Sequence, residues 1–378
     1  MTMTLSGDGT ITGLVAGGLP NATVTADDLA AGAALNSVSD GVFFRNRIIN
    51  GDMRIDQRNA GATVSTDNSF PLDRFKVRTN VTGATFTSQR STTAPTPDFV
   101  NSLVYTTGTG ANAGSTDVAS ILHVIEGTNV PDLGWGTASA KTVTISFRVR
   151  SSVTGTFVLT LRNSAGNRNY PATYTVSSAD TWETKSITVA GDTSGTWLTD
   201  TGIGIQLWFD LGSGSNFDGT ANTWTGSTVV RVSGSANVVG VSSATFYITG
   251  VQLEVGSVAT PFERRPYGTE LALCQRYYFS TFASDGAVPS SATCPATLSN
   301  NLTECIGART PVTMRATPTY TIWNASTGAS GTIRISGSNI SVSGVGGSTP
   351  DGFSSLSLGS SGDNTGIGNY AFTAYAEL

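Results

Sequence analysis

The chain has 378 residues, a formal net charge of −5 and only 12% charged residues, against about 25% in ordinary soluble domains. That acidic balance, with no long basic run, speaks against a nucleic-acid or membrane-surface binder, whose affinity comes from Lys and Arg clusters. The apolar share of 38% and the 44 glycines allow a core, and the wealth of Thr, Ser, Asn and Gly favours short strands and tight turns in two or three domains.

The first basic residue is Arg45, so the start lacks the basic n-region of a secretory signal, and no apolar run is long enough to span a bilayer. A chain made in a cytosol is the expectation. Residues 1–42 stand apart. In "TVTADDLAAGAAL", Thr25 precedes a short helical run with Asp28 three residues on, an imperfect capping box. A helix of about ten residues is marginal alone in water, so this segment reads as an attachment segment that needs a docking partner or copies of itself.

From Phe43 the signals are those of strands. "KTVTISFRVRS" places Val143, Ile145, Phe147 and Val149 on one face and Thr144, Ser146, Arg148 and Arg150 on the other, the period of a half-buried antiparallel strand. "GTFVLTLRN" repeats it with Phe157, Leu159 and Leu161. "GIGIQLWFDLG" does so with Ile203, Ile205, Leu207, Phe209 and Leu211 inward and Gln206, Trp208 and Asp210 outward. Strands of this kind between turn-rich breaks predict a jelly-roll β-sandwich over residues 43–265. In "ATFYITGVQLEVG" the apolar parity changes at Gly250, which predicts a bulge. Pro261 and Pro266 then stop the sheet, and "TELALCQRYY" starts a short helix with Thr269 as its expected N-cap.

Residues 266–279 read as a charged joint and 280–378 as a smaller β-rich tip. There "GTIRISGSNISVSG" sets Ile333, Ile335, Ile340 and Val342 around a hairpin turn. The long Gly and Ser stretches of the tip carry few large side chains, so packing against identical chains is expected to complete its core. Cys274, Cys294 and Cys305 are too few and too unevenly spaced for a disulfide framework or a four-ligand zinc site. Free buried thiols are expected, a Cys294–Cys305 bridge being the alternative.

Three stretches, "RNRIINGDMRIDQRNAG" from Arg45, "LDRFKVR" from Leu72 and "YITGVQLEVGSVATPFERRPYGTELALCQRYY" from Tyr247, resemble the cassette shared by bacteriophage tail fibres and related receptor-binding tail proteins, over roughly residues 43 to 280. The resemblance implies a homotrimer with an N-terminal virion-anchoring part, a carbohydrate-binding-module-like jelly roll and a variable tip that contacts the host. It also implies a location in the virion tail, with assembly in the host cytoplasm.

Residues with chemical potential are weighed against plain structural roles. His123 is the only histidine and shares strand parity with Ile121 and Ile125, which favours a packed histidine over a nucleophile's base. Asp192, Asp210, Asp218 and Asp351 lie among Gly, Ser and Asn, where Asp commonly shapes turns, although a glycan hydrolase would need two such carboxylates to converge. Asn216 to Asn222 alternates oxygen-bearing side chains like a calcium loop, but with one carboxylate. No metal or cofactor is expected. Trp208 on the polar face of its strand, Trp224 in a polar loop and Trp323 opposite in parity to Ile322 are candidate platforms for sugar rings, unless they pack beneath loops or against a neighbouring subunit. Glu263, Arg264, Arg265 and Arg276 are assigned to the joint, pairing between chains to set orientation, with an acidic ligand as the alternative.

The expected function is non-enzymatic: a tail fibre or tail tip subunit attached to a tail or baseplate protein through its N-terminal segment, binding a host-surface glycan or protein multivalently. The alternatives are a tailspike polysaccharide hydrolase and a connector without receptor contact.

Overall fold

The computed structural model describes residues 4–5, 11–12, 44–281, 294–298, 304–335, 337–359 and 366–378, without the side chains of 4–5, 11–12, 294–298, 304–306 and 366–368. The chain forms two compact units, Met1–Arg45 and Asn46–Leu378. In the first, β1 (Thr4–Leu5) pairs antiparallel with β2 (Ile11–Thr12). The helix expected after Thr25 lies outside the described residues.

In the second unit, eleven strands form two antiparallel sheets. One runs β10 (Asn169–Val176), β9 (Gly155–Arg162), β12 (Ile203–Asp210), β7 (Ala119–Glu126), β4 (Phe75–Thr79), β3 (Ser69–Leu72). The other runs β11 (Glu183–Val189), β8 (Val143–Ser151), β13 (Thr245–Val255), β6 (Ser102–Thr107), β5 (Phe86–Ser91). After each strand or hairpin the chain crosses to the opposite sheet, which is jelly-roll wiring. The alternation read from the sequence sets the core: Ile145, Phe147 and Val149 of β8 meet Leu159 of β9 and Leu207 and Phe209 of β12, and the Phe147 ring lies 5.3 Å from that of Phe209, edge to face. Each such buried side chain contributes roughly 1.5–3 kcal/mol.

The parity change in β13 is a register shift between Thr249 and Gln252. Gly250 there has φ +61°, and a Cβ on it would stand 2.5 Å from Cζ of Phe99, so the missing side chain is what lets the Phe99 ring lie against the strand. The only α-helix among the described residues, α1 (Tyr267–Gln275), begins two residues before Thr269. Pro266 occupies the N-cap with φ −53°, and its carbonyl accepts the Glu270 N–H at 3.1 Å; proline's fixed φ starts the turn that Thr269 was expected to cap. No helix among the described residues is long and apolar enough to cross a membrane.

Beyond α1 come β14 (Tyr278–Ser280), β15 (Cys294–Leu298), β16 (Glu304–Arg309), β17 (Thr319–Asn324), β18 (Thr332–Ile335), β19 (Ser338–Gly346), β20 (Gly352–Leu358) and β21 (Gly366–Tyr375), all in one sheet. The predicted hairpin is β18–β19, with Ile333 opposite Ile340. The expectation of a tip without a core of its own is corrected. Ile322, Ile333, Ile335, Phe353, Tyr370 and Phe372 form an apolar cluster within the chain, the Tyr320 and Phe372 rings lying 4.9 and 5.4 Å from that of Phe353. The aromatics at alternate strand positions do what the Gly and Ser of the turns do not. Cys274 is a free, fully buried thiol; the side chain of Cys294 is not described, so the bridge question lies outside the described residues.

Candidate functional site

The cassette stretches, far apart in sequence, converge between sandwich and tip. Asn46 accepts from Ile48 N (2.9 Å) and Leu253 N (3.1 Å), and Asn50 N donates to Glu270 Oε1 at 2.6 Å. Arg265, 8% exposed, faces Glu270 at 3.3 Å and donates to the Ile48 and Asn46 carbonyls. Glu263 Oε2 accepts from Asn46 N at 2.7 Å. Arg276 holds Glu126 through two bonds of 3.0 and 2.6 Å, and Tyr277 Oη donates to the same carboxylate at 2.7 Å. Burial pushes Glu126 up, but these donors outweigh it and keep the carboxyl below its ordinary value. Arg58 and Arg74 converge on Glu377, around a small apolar cluster of Ile49, Ile55, Cys274 and Tyr277. The bonds drawn by Glu263, Arg265 and Arg276 thus run within one chain.

Arg264, the neighbour of Arg265, points the other way. Its guanidinium lies 4.9 Å from the Phe99 ring centroid and 5.8 Å from that of Phe262, and donates to the Asp98 carbonyl. Phe99 and Phe262 meet edge to face at 5.2 Å. They wall a groove of about 490 Å³ over the outer face of the five-stranded sheet. The pairing of Ser186 with Ser146 and of Thr184 with Arg148 puts these four side chains on that face. Arg148 stands 3.5 Å from Asp98, both well exposed. The loop that forms one wall is tied down by Glu254, which accepts from Thr260 N (2.8 Å) and Oγ1 (2.7 Å), and by Gln252, which accepts from Glu263 N (2.8 Å). A smaller pocket shares Asp98, Phe99 and Arg264 and adds Asp52 and Arg54. Burial raises Asp52 above the ordinary carboxylate value, although Arg54 and Arg264 pull it down. Rings for C–H faces, hydroxyls and two guanidiniums around one trough suit a polyhydroxylated ligand.

The tryptophans singled out by sequence are scattered. Trp208 does leave the core side of β12, but Phe217, Leu122, Val118 and Val230 cover it and it is 6% exposed; as an open sugar platform it is corrected, because the loop after β12 folds back over that face. Trp224 is half-buried, its indole N–H donated to the Ala190 carbonyl at 2.8 Å and its ring 5.5 Å from Trp135 and 5.6 Å from Trp197. Trp323 is half-buried in the tip and donates to Thr373 Oγ1 at 3.3 Å. Trp135 and Trp197, which escaped the sequence reading, border a 270 Å³ apolar cavity with Val130, Pro131 and Leu198.

His123 is buried 4.7 Å from the Phe75 ring, and burial with the Arg74 charge holds it well below its ordinary pKa. The four loop aspartates each serve local structure. Asp192 takes two bonds from Arg168 (2.7 and 2.6 Å), Asp210 accepts from Ser213 N (3.0 Å), Asp218 faces Arg231 (2.9 Å) and Asp351 accepts from Thr313 Oγ1 (2.6 Å).

No family model and no curated protein matches the sequence. Among solved structures, the enzymatically active domain of bacteriophage CBA120 tailspike protein 4 is 12% identical over 56% of this chain, at a TM-score of 0.30, and the match spans 22% of that chain. A family 11 carbohydrate-binding module from Clostridium thermocellum, in complex with a β-1,3-1,4-mixed-linked tetrasaccharide, is 10% identical over 52% of this chain and 98% of its own, at a TM-score of 0.27. The C-terminal family 22 carbohydrate binding module of Clostridium thermocellum Xyn10B is 12% identical over 53% of this chain and 98% of its own, at the same TM-score of 0.27. Likenesses this loose carry no weight for function, which is read from the groove's own residues.

Proposed function

We propose that the chain is a subunit of a phage tail fibre or tail tip that attaches the virion to a host-cell surface glycan without cleaving it. The observation that carries this reading is the groove over the five-stranded sheet, with Phe99 and Phe262 for the sugar's C–H faces and Ser146, Thr184, Ser186, Arg148 and Arg264 for its hydroxyls. The resemblance of the joint stretches to the tail-fibre cassette supplies the virion context, and three copies on one fibre would add weak contacts through effective concentration. On this reading recognition lies in the sandwich groove, with the tip around Trp323 as the alternative.

A glycan array and host-cell binding with the full chain test this. The parent should bind, and Phe262→Ala and Arg264→Ala should each lose most of it with an unchanged fold; full-strength binding by both variants would overturn the groove. One observation favours a hydrolase as second reading: Asp52 and Asp98 line the same small pocket, as an acid and its partner would. Against it, Asp52 is paired with Arg54. Release of reducing sugar from host polysaccharide, abolished by Asp52→Asn, would establish that reading.

A further inference from the structure

The outer face of the six-stranded sheet holds a concentration of positive charge that no carboxylate among the described residues answers with an ion pair. Lys76 and Arg78 alternate with the core residues Phe75 and Val77 along β4, so both point outward. Arg162 ends β9 beside Gln206 of β12. The two guanidiniums share one indole: Arg162 lies 4.5 Å and Arg78 5.8 Å from the Trp208 ring centroid. Arg162 is 9% exposed, and its Nε and that of Arg78 are buried without a hydrogen-bond partner.

No carboxylate among the described residues pairs with either arginine. Asp210, on the same face of β12, is spent on the N–H groups of Gly212 and Ser213. Glu377 is taken by Arg58 and Arg74, and Asp67 accepts from Thr79 N. Gln206 brings no charge, since its carbonyl accepts from Trp208 Nε1 at 3.0 Å and its amide donates to the Asn163 carbonyl at 3.0 Å. Burial and the Arg78 charge together bring Arg162 down to about 10, so it stays protonated at neutral pH. The ring face relieves part of the cost of holding two cations together, but the buried Nε–H of each still lacks an acceptor.

We propose that Arg78 and Arg162, seated on Trp208, form a binding site for a small oxyanion, a phosphate, sulfate or sugar carboxylate group. Guanidiniums recognise such groups through paired N–H···O bonds, and a buried site strengthens them. Lys76 adds charge at the rim. This site lies on the sheet opposite the groove and does not depend on the function proposed for it.

The test is calorimetric titration and thermal melting of the full chain with inorganic phosphate, sulfate and sodium glucuronate, each against chloride at matched ionic strength. The parent should bind at least one of the three and melt higher with it, and Arg162→Gln and Arg78→Gln should each weaken that binding tenfold or more. Preference for glucuronate would assign a sugar carboxylate, and preference for the inorganic ions a phosphate- or sulfate-bearing ligand. In chloride Arg162→Gln should melt no lower than the parent, because it removes a charge without a partner; should it fail to fold, Arg78→Gln, half-buried on the strand, decides. Equal melting in all four salts, or parental affinity in the variants, would overturn the site. A change of oligomeric mass in Arg162→Gln without any anion effect would also overturn it, giving the patch to contact with a second copy.

Discussion

The joint and the groove are made of the same residue types, and adjacent arginines divide between them: Arg265 is buried against Glu270 and two backbone carbonyls, whereas Arg264 spreads over Phe99 and Phe262 at the groove wall. In the joint Arg265, Arg276, Arg58 and Arg74 each meet a carboxylate of the same chain, so the charges fix how segments cross. In the groove Arg148 faces the exposed Asp98 carboxylate and Arg264 donates to the Asp98 backbone carbonyl, and both guanidiniums line the trough. The difference teaches that charge density in a sequence marks importance without saying which kind; saturation decides.

The largest effect that would sharpen this contrast is expected from Glu377→Ala. Arg74 and Glu377 are 1% and 2% exposed, and removing one partner of a buried pair costs about 3–5 kcal/mol. Urea unfolding should show that loss while glycan affinity per folded molecule stays constant; a loss below about 1 kcal/mol would mean the joint is not saturated as described. Truncation after Tyr278 should weaken the sandwich for the same reason, so an isolated sandwich is not a neutral test of the tip.

A pH series probes the buried side of the contrast next. Burial raises Asp73 to about 7 and Asp210 to about 6, from an ordinary 3.8. A carboxyl that binds its proton more tightly when folded favours the fold below its unfolded pKa and loses that contribution as pH rises through the folded value. Stability should therefore fall between about pH 4 and pH 7, the larger share of the loss coming from Asp73, whose shift is the greater. Asp73→Asn should flatten most of that slope, and a parent curve that climbs over the same range would contradict the assignment.

On the open side the effects belong to binding. Phe262→Ala should cost roughly 1–3 kcal/mol of glycan affinity as a lost stacking surface, read on a titration of the intact chain, with an unfolding midpoint nearly unmoved because the ring borders the groove. Smallest of all, Trp323→Ala should change affinity by less than about 0.5 kcal/mol; a tenfold loss would return recognition to the tip.

The sandwich was legible because its strands keep period two: the inward residues of β8, β9 and β12 are those the alternation names. Alternation tells which way a side chain leaves the sheet but not what then covers it, so the choice for Trp208 between an open platform and packing beneath a loop stays open in the sequence and is decided by Phe217 and Val230, which close over it. The parity break at Gly250 was visible; that Phe99 would fill it was not, since 151 residues separate them. Trp135 and Trp197 gave no local pattern beyond their own identity. Arg264 was assigned to the joint because proximity to Arg265 in sequence hides a change of side one residue wide.

The bond between Arg74 and Glu377 spans 303 positions of the chain, and that separation is also a delay. At a synthesis rate of about 5–20 residues per second, roughly 15 to 60 s pass between the making of the arginine and the making of its carboxylate. During that interval Arg74 lacks its carboxylate, while the Val124 carbonyl and then the Tyr277 ring, its other partners in the finished fold, are already made. The buried ion pair that ties the sandwich to the end of the tip is thus the last of Arg74's contacts to become available.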